Sequence, residues 1–144
     1  MGKEQFIGTW KLVSSEFRLS ADKAVYPLGR DAVGMLTYDT SGHMSAQLMR
    51  LDRPAFASGD QVGGTPEEIK SAFEGFVAYF GTYEVNEQKG IVTHYVEGSS
   101  FPNWVGTDQI RFFEFSGDRL TLTTPPIPVG GQQLTGLLLW ERVG

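Results

Sequence analysis

The chain has 144 residues, of which 40% are hydrophobic and 20% charged, and carries a formal net charge of −5. That length supports one core and is short for two domains, and the acidic balance lacks the clustered basic surface that nucleic acid demands. Cysteine is absent and glycine occurs 18 times, which removes disulfides and thiolate metal sites, points to a reducing compartment and favours turn-rich β structure over a helix bundle.

Residues 1–6 contain no apolar run, and no later stretch approaches the roughly 18 apolar residues of a membrane span. The expectation is a cytoplasmic chain, monomeric or homodimeric. Trp10 to Arg18 alternates at a period near two, with Trp10, Leu12 and Ser14 on one face and Lys11, Val13 and Ser15 on the other, which predicts a first strand. Asp22 to Gly34, punctuated by Pro27, Gly29 and Gly34, reads as a loop or short edge strand. Met35 to Tyr38 and His43 to Arg50 form a hairpin across Asp39-Thr40-Ser41-Gly42.

Asp52 to Gly64 is rich in Pro, Gly, Ser and Asp, and Thr65-Pro66-Glu67-Glu68 then supplies an N-cap, a proline at the first helical position and acidic residues in the first turn. Ile69, Ala72, Phe73, Phe76, Val77 and Phe80 recur at helical steps, so the spacing predicts a helix over about 66–79 whose apolar stripe packs on the rest or forms a movable lid. Strands follow at Thr82 to Asn86, Gly90 to Glu97, Asp108 to Phe115, Arg119 to Thr124 and Leu134 to Val143, joined in part by short turns at 87–89 and 116–118. The result is an all-β, antiparallel up-and-down meander of about eight strands with one inserted helix. Closing it into a barrel removes its edges and leaves an interior suited to packed side chains or one small ligand.

Gly8-Thr9-Trp10 opens the first strand and Trp140-Glu141-Arg142 closes the last, a pairing that resembles the lipocalin signature. The wider pattern is similar to small bacterial and fungal lipocalin-like domains: Gly34 to Tyr38, Gly42-His43-Met44, Gly81-Thr82-Tyr83, Val92-Thr93-His94, Phe101 to Trp104, and Arg111. The resemblance implies a single calycin-type barrel over residues 1–144, with Gly8, Trp10 and Arg142 as its structural signature and the arginine packed across the Trp10 ring at the closed end. It departs from secreted lipocalins in the inserted helix and the missing cysteines, so extracellular transport is not implied.

Alternation places His94 inside with Val92 and Val96, either as a core histidine satisfied by a tyrosine or as a proton donor and acceptor toward a bound molecule. Arg111 shares a face with Phe113 and Phe115, and its buried guanidinium calls for an acidic partner: a ligand, or a protein carboxylate such as Glu16 or Glu84. Tyr38, Gln47 and Tyr83 carry polar tips near the middle of the meander, and Trp104 stands at the expected barrel mouth; with Phe113 these are candidate ligand contacts and, equally, ordinary barrel filling. His43 belongs to a turn, and two histidines without metal-ligand spacing give no zinc motif; no metal or cofactor is implied. Three readings stay open. The barrel binds a small hydrophobic or amphipathic molecule, with an anionic one as an option; it is a cofactor-independent isomerase or cyclase with His94 as general acid or base and Tyr83 or Arg111 stabilising charge; or it is filled by its own side chains.

Overall fold

A computed structural model describes residues 2–20 and 22–143. A short helix α1 (Gly2–Phe6) leads into β1 (Gly8–Ser20), β2 (Lys23–Val25), β3 (Val33–Tyr38) and β4 (His43–Met49), then α2 (Pro66–Glu74). After it come β5 (Phe76–Asn86), β6 (Ile91–Ser99), a 3-10 turn (Pro102–Trp104), β7 (Asp108–Ser116), β8 (Arg119–Thr123), β9 (Ile127–Val129) and β10 (Gln132–Arg142). Hydrogen bonding runs in the order β1-β3-β4-β5-β6-β7-β8-β10 and returns from β10 to β1, closing an eight-stranded antiparallel barrel. The short β2 and β9 pair with the ends of β1 and β10. No described helix is long and apolar enough to cross a membrane.

Turn chemistry sets the hairpins. Asp39 Oδ1 accepts hydrogen bonds from the backbone N–H of Ser41 and His43 and from Ser41 Oγ, which shapes the β3–β4 turn. Thr65 and Glu68 form a reciprocal capping box at the start of α2. The helix is shorter than the 66–79 expected: it ends at Glu74, and Phe76, Val77, Tyr79 and Phe80 belong to β5. Gly75 interrupts it, and Phe76 to Phe80, rich in aromatic and β-branched residues, pairs with β4 instead. Apolar residues at 76, 77 and 80 satisfy a helical period by coincidence; sheet pairing decides. None of the α2 residues is buried, so its stripe is not the packed face that the spacing suggested.

A second correction concerns β1. Its register against β10 shifts between Leu12 and Ser14, a bulge at Val13 that turns Ser15, not Ser14, inward alongside Trp10 and Leu12.

The two ends of the barrel are built differently. At the closed end, Phe6 plugs the interior with edge-on contacts to Tyr38, Phe113 and Phe115 at 5.1, 4.9 and 4.9 Å. Trp10 donates through its indole N–H to the Phe6 carbonyl, and Arg142 lies 4.3 Å over the Trp10 ring while donating to the Ile7 and Gln5 carbonyls. Gly8 adopts φ of 134°, a backbone conformation that calls for glycine, and a Cβ there would approach Arg142 Nη1 to 2.9 Å and press on the capping arginine.

Arg142→Ala removes a cation–π contact and two backbone hydrogen bonds at once, and we expect a loss of about 2 kcal/mol in urea unfolding. Arg142→Lys recovers only part, because an ammonium cannot reproduce the planar fork. Full recovery by lysine in the same assay would show that charge alone holds this end.

Candidate functional site

Beyond the closed-end plug the barrel encloses a cavity of about 450 Å³. This volume overturns the side-chain-filled alternative and suits one small organic molecule. Its walls are mainly aliphatic, including Leu36, Leu48, Val77, Leu122 and Leu138, and its mouth is framed by Leu28, Phe101, Trp104 and the β9 segment.

One wall is polar. Inward alternation on β6 buries His94 to 1% exposure, and the same alternation on β5 and β3 brings Tyr79 and Tyr38 to its two ring nitrogens. Tyr79 Oη lies 2.8 Å from Nδ1, and Tyr38 Oη lies 2.6 Å from Nε2. Burial, with the Arg111 cation adding to it, holds the His94 pKa well below its ordinary value, so the ring is neutral. Burial raises both phenols: Tyr38 lies well above the usual tyrosine range, and for Tyr79 the neighbouring Arg111 cation pulls in the opposite direction.

A neutral imidazole donates from one nitrogen and accepts at the other. Tyr38 is fully buried and lies outside the cavity lining, and among the described residues its hydroxyl is bonded to Nε2. The arrangement that leaves no buried hydroxyl proton unmatched therefore has Tyr38 donating to Nε2 and Nδ1–H donating to Tyr79. The Tyr79 proton is then free to serve the cavity that this residue lines. Any proton exchanged between His94 and a bound molecule would have to pass through Tyr79.

Arg111, 6% exposed on the inward face of β7, completes this pole. It donates to the Ile110 carbonyl at 2.9 Å and sits 5.8 Å from the Trp104 ring centre. Among the described residues no carboxylate lies within ion-pair distance of it. Glu16 pairs with Arg18, and Glu84 accepts from the Tyr95 hydroxyl, so neither carboxylate considered from the sequence meets Arg111.

The structure brings His94, Arg111 and Trp104 together at the cavity and separates the other candidates from it. Tyr38 stands behind His94. Tyr83 is turned toward the closed end, where its hydroxyl donates to the Asp39 carbonyl and its ring packs 4.8 Å from Tyr38. Phe113 belongs to the Phe6 plug, and Gln47 lies on the outer face of β4 between the inward Ala46 and Leu48. None of Tyr38, Tyr83, Phe113 and Gln47 lines the cavity. Sequence reasoning missed Tyr79, Gln109, Ser15 and Trp140 as lining residues. The signal for Tyr79 is its period-two spacing with Gly81 and Tyr83 after the Gly75 stop.

A closed barrel with an apolar interior and a cationic pole defines a small-molecule-binding protein. The chain belongs to the lipocalin-like domain family, whose profile matches residues 7–143. It is also 36% identical over 107 residues, covering 69% of this chain and 96% of the relative, to the 4'-hydroxy-3'-methoxypropiophenone carrier protein ppsC of Aspergillus oryzae.

Two measurements follow from this geometry. In ¹⁵N NMR of the imidazole, His94 should show the Nδ1–H neutral tautomer; an Nε2–H pattern would reverse the donor direction derived above. An imidazole held neutral in the fold but titrating near 6.5 when unfolded takes its proton preferentially in the unfolded state. Its contribution to stability is thus complete above that pH and is lost as pH falls through it. Unfolding free energy should drop toward ~1.4 kcal/mol per unit between about pH 6.5 and pH 5, and His94→Gln should flatten that slope. A wild-type profile already flat over this window would contradict a neutral buried ring.

Proposed function

We propose that this protein binds and carries a small aromatic molecule with an acidic oxygen, seated with its ring among the cavity's aliphatic walls and its oxygen at Arg111 and Tyr79. The observation that carries the reading is the buried guanidinium at the cavity wall, which has no carboxylate within ion-pair distance among the described residues. A buried cation of this kind is costly unless something anionic or strongly accepting meets it. A phenol suits both neighbours, since its oxygen can accept from Arg111 and from the Tyr79 hydroxyl while its ring fills apolar space. The relative's name, a carrier of a hydroxylated aryl ketone, supports the same chemical class.

Binding is better supported than turnover. An isomerase or cyclase with His94 as acid or base needs a ring nitrogen that reaches the bound molecule, and both nitrogens are held by phenols. Tyr83, the other residue such an enzyme would use, faces the closed end. The chain without cysteine and with net charge −5 favours a cytoplasmic carrier that does not engage nucleic acid.

The test uses 4'-hydroxy-3'-methoxypropiophenone as probe, because a para-acyl phenolate absorbs at longer wavelength than its phenol. Arg111 should stabilise the phenolate and lower the bound probe's pKa by about one unit or more. Arg111→Gln should abolish that shift and weaken binding by roughly tenfold or more. Equal affinity and an equal absorption spectrum in wild type and Arg111→Gln would remove this assignment.

A further inference from the structure

The cavity has a second polar locus, on the wall opposite the first. Ser15 and Trp140 both line it, from adjacent strands β1 and β10, with Ser15 opposite Leu138 and Trp140 two residues further along. In barrel order, β10 and β1 stand across from β5 and β6, which carry Tyr79 and His94. Ser15 is 3% and Trp140 1% exposed, and Ser15 Oγ and Trp140 Nε1 have no hydrogen-bond partner among the described residues. Backbone pairing does not account for them: the strands on either side are already bonded to each other, and these are side-chain atoms left over.

Two lining residues on adjacent strands, each with a buried polar atom that no described residue meets, are more than packing. An apolar cavity wall at these positions would be filled by a leucine or phenylalanine without leaving a donor unsatisfied. The indole N–H is donor-only and the serine hydroxyl can donate as well. Both are neutral. The opposite pole, by contrast, is a cation with a phenol donor.

We infer that Ser15 and Trp140 form a second anchor, and that the cavity takes a molecule with two oxygen functions. The acidic oxygen lies at Arg111 and Tyr79, and a neutral carbonyl oxygen at the far end accepts from Trp140 Nε1–H and Ser15 Oγ–H. This rests on the proposed binding reading and narrows it from an aromatic phenol to a hydroxylated aryl carbonyl compound. The assignment of ends follows from charge: the more acidic oxygen gains more from the guanidinium, while a neutral carbonyl is well matched by an uncharged indole donor.

The experiment compares two probes that differ only at the carbonyl, 4'-hydroxy-3'-methoxypropiophenone and 2-methoxy-4-propylphenol, in which the ketone is a methylene. Affinities are measured by calorimetry on wild type, Trp140→Phe and Ser15→Ala; both substitutions conserve most of the side-chain shape. The expected result is a loss of about three- to tenfold for the ketone in each variant, with the methylene probe unchanged. The Trp140 indole N–H resonance of the wild type should move downfield with the ketone and not with its methylene analogue. Equal losses for both probes, or no loss for either, would overturn the second anchor while leaving Arg111 as the first. Failure of both probes to bind wild type would overturn the binding reading and this inference with it.

Discussion

The barrel exists because β10 returns to pair with β1, and that pairing has to be held where the two strands meet at the closed end. Arg142, near the end of β10, reaches across the Trp10 ring of β1 and ties down the carbonyls of Gln5 and Ile7. The segment so held carries Phe6 into the interior, where its ring meets aromatic residues from β3 and β7. Closure, plug and capping cation are thus one device. With the floor filled, the remaining interior above it cannot collapse without breaking the strand pairing that surrounds it, and a cavity persists.

Within that enclosure the cost of polarity is what organises the chemistry. An interior of low dielectric penalises a charged imidazole, so His94 stays neutral and becomes a rigid two-ended connector between phenols. Tyr38 anchors one end from below, and Tyr79 presents the other to the cavity. Arg111 cannot escape its charge by deprotonating, so the same environment leaves it seeking an acceptor. The result is a pole that donates hydrogen bonds and carries positive charge, embedded in leucine and valine walls. On the proposed reading, such a pole selects ligands by the acidity of one oxygen, while the walls contact the carbon frame.

Much of the fold was legible because alternation is a strong signal when one face is buried and the other wet. Arg111, Phe113 and Phe115 on β7, and Val92, His94 and Val96 on β6, point inward as their spacing implies. The failures have local causes. Phe76, Val77 and Phe80 fit helical and strand periods alike, and their pairing with β4 depends on residues far away in the chain. A single bulge at Val13 reversed the facing of Ser14 and Ser15, and a bulge leaves no mark in composition. The site was only partly legible for a different reason: alternation says which residues face inward but not how deep they stand. Tyr83 and Phe113 do face inward, yet at the level of the plug, whereas Tyr79 and Trp140 stand at the level of the cavity. Depth is set by strand tilt and by what the Phe6 segment fills, and neither is written in a local window.

The neutral histidine also bears on why this interior suits holding a molecule better than transforming it. General acid–base chemistry wants a group that changes protonation near the working pH and touches the reacting atoms. His94 meets neither condition: its pKa is driven far down and both nitrogens are engaged. Tyr79, which does reach the cavity, is pushed above the usual phenol range and so keeps its proton. His94 and Tyr79 therefore each keep one protonation state across the neutral range, which denies a catalyst its acid or base and leaves the bound molecule's own acidic oxygen to set how affinity varies with pH.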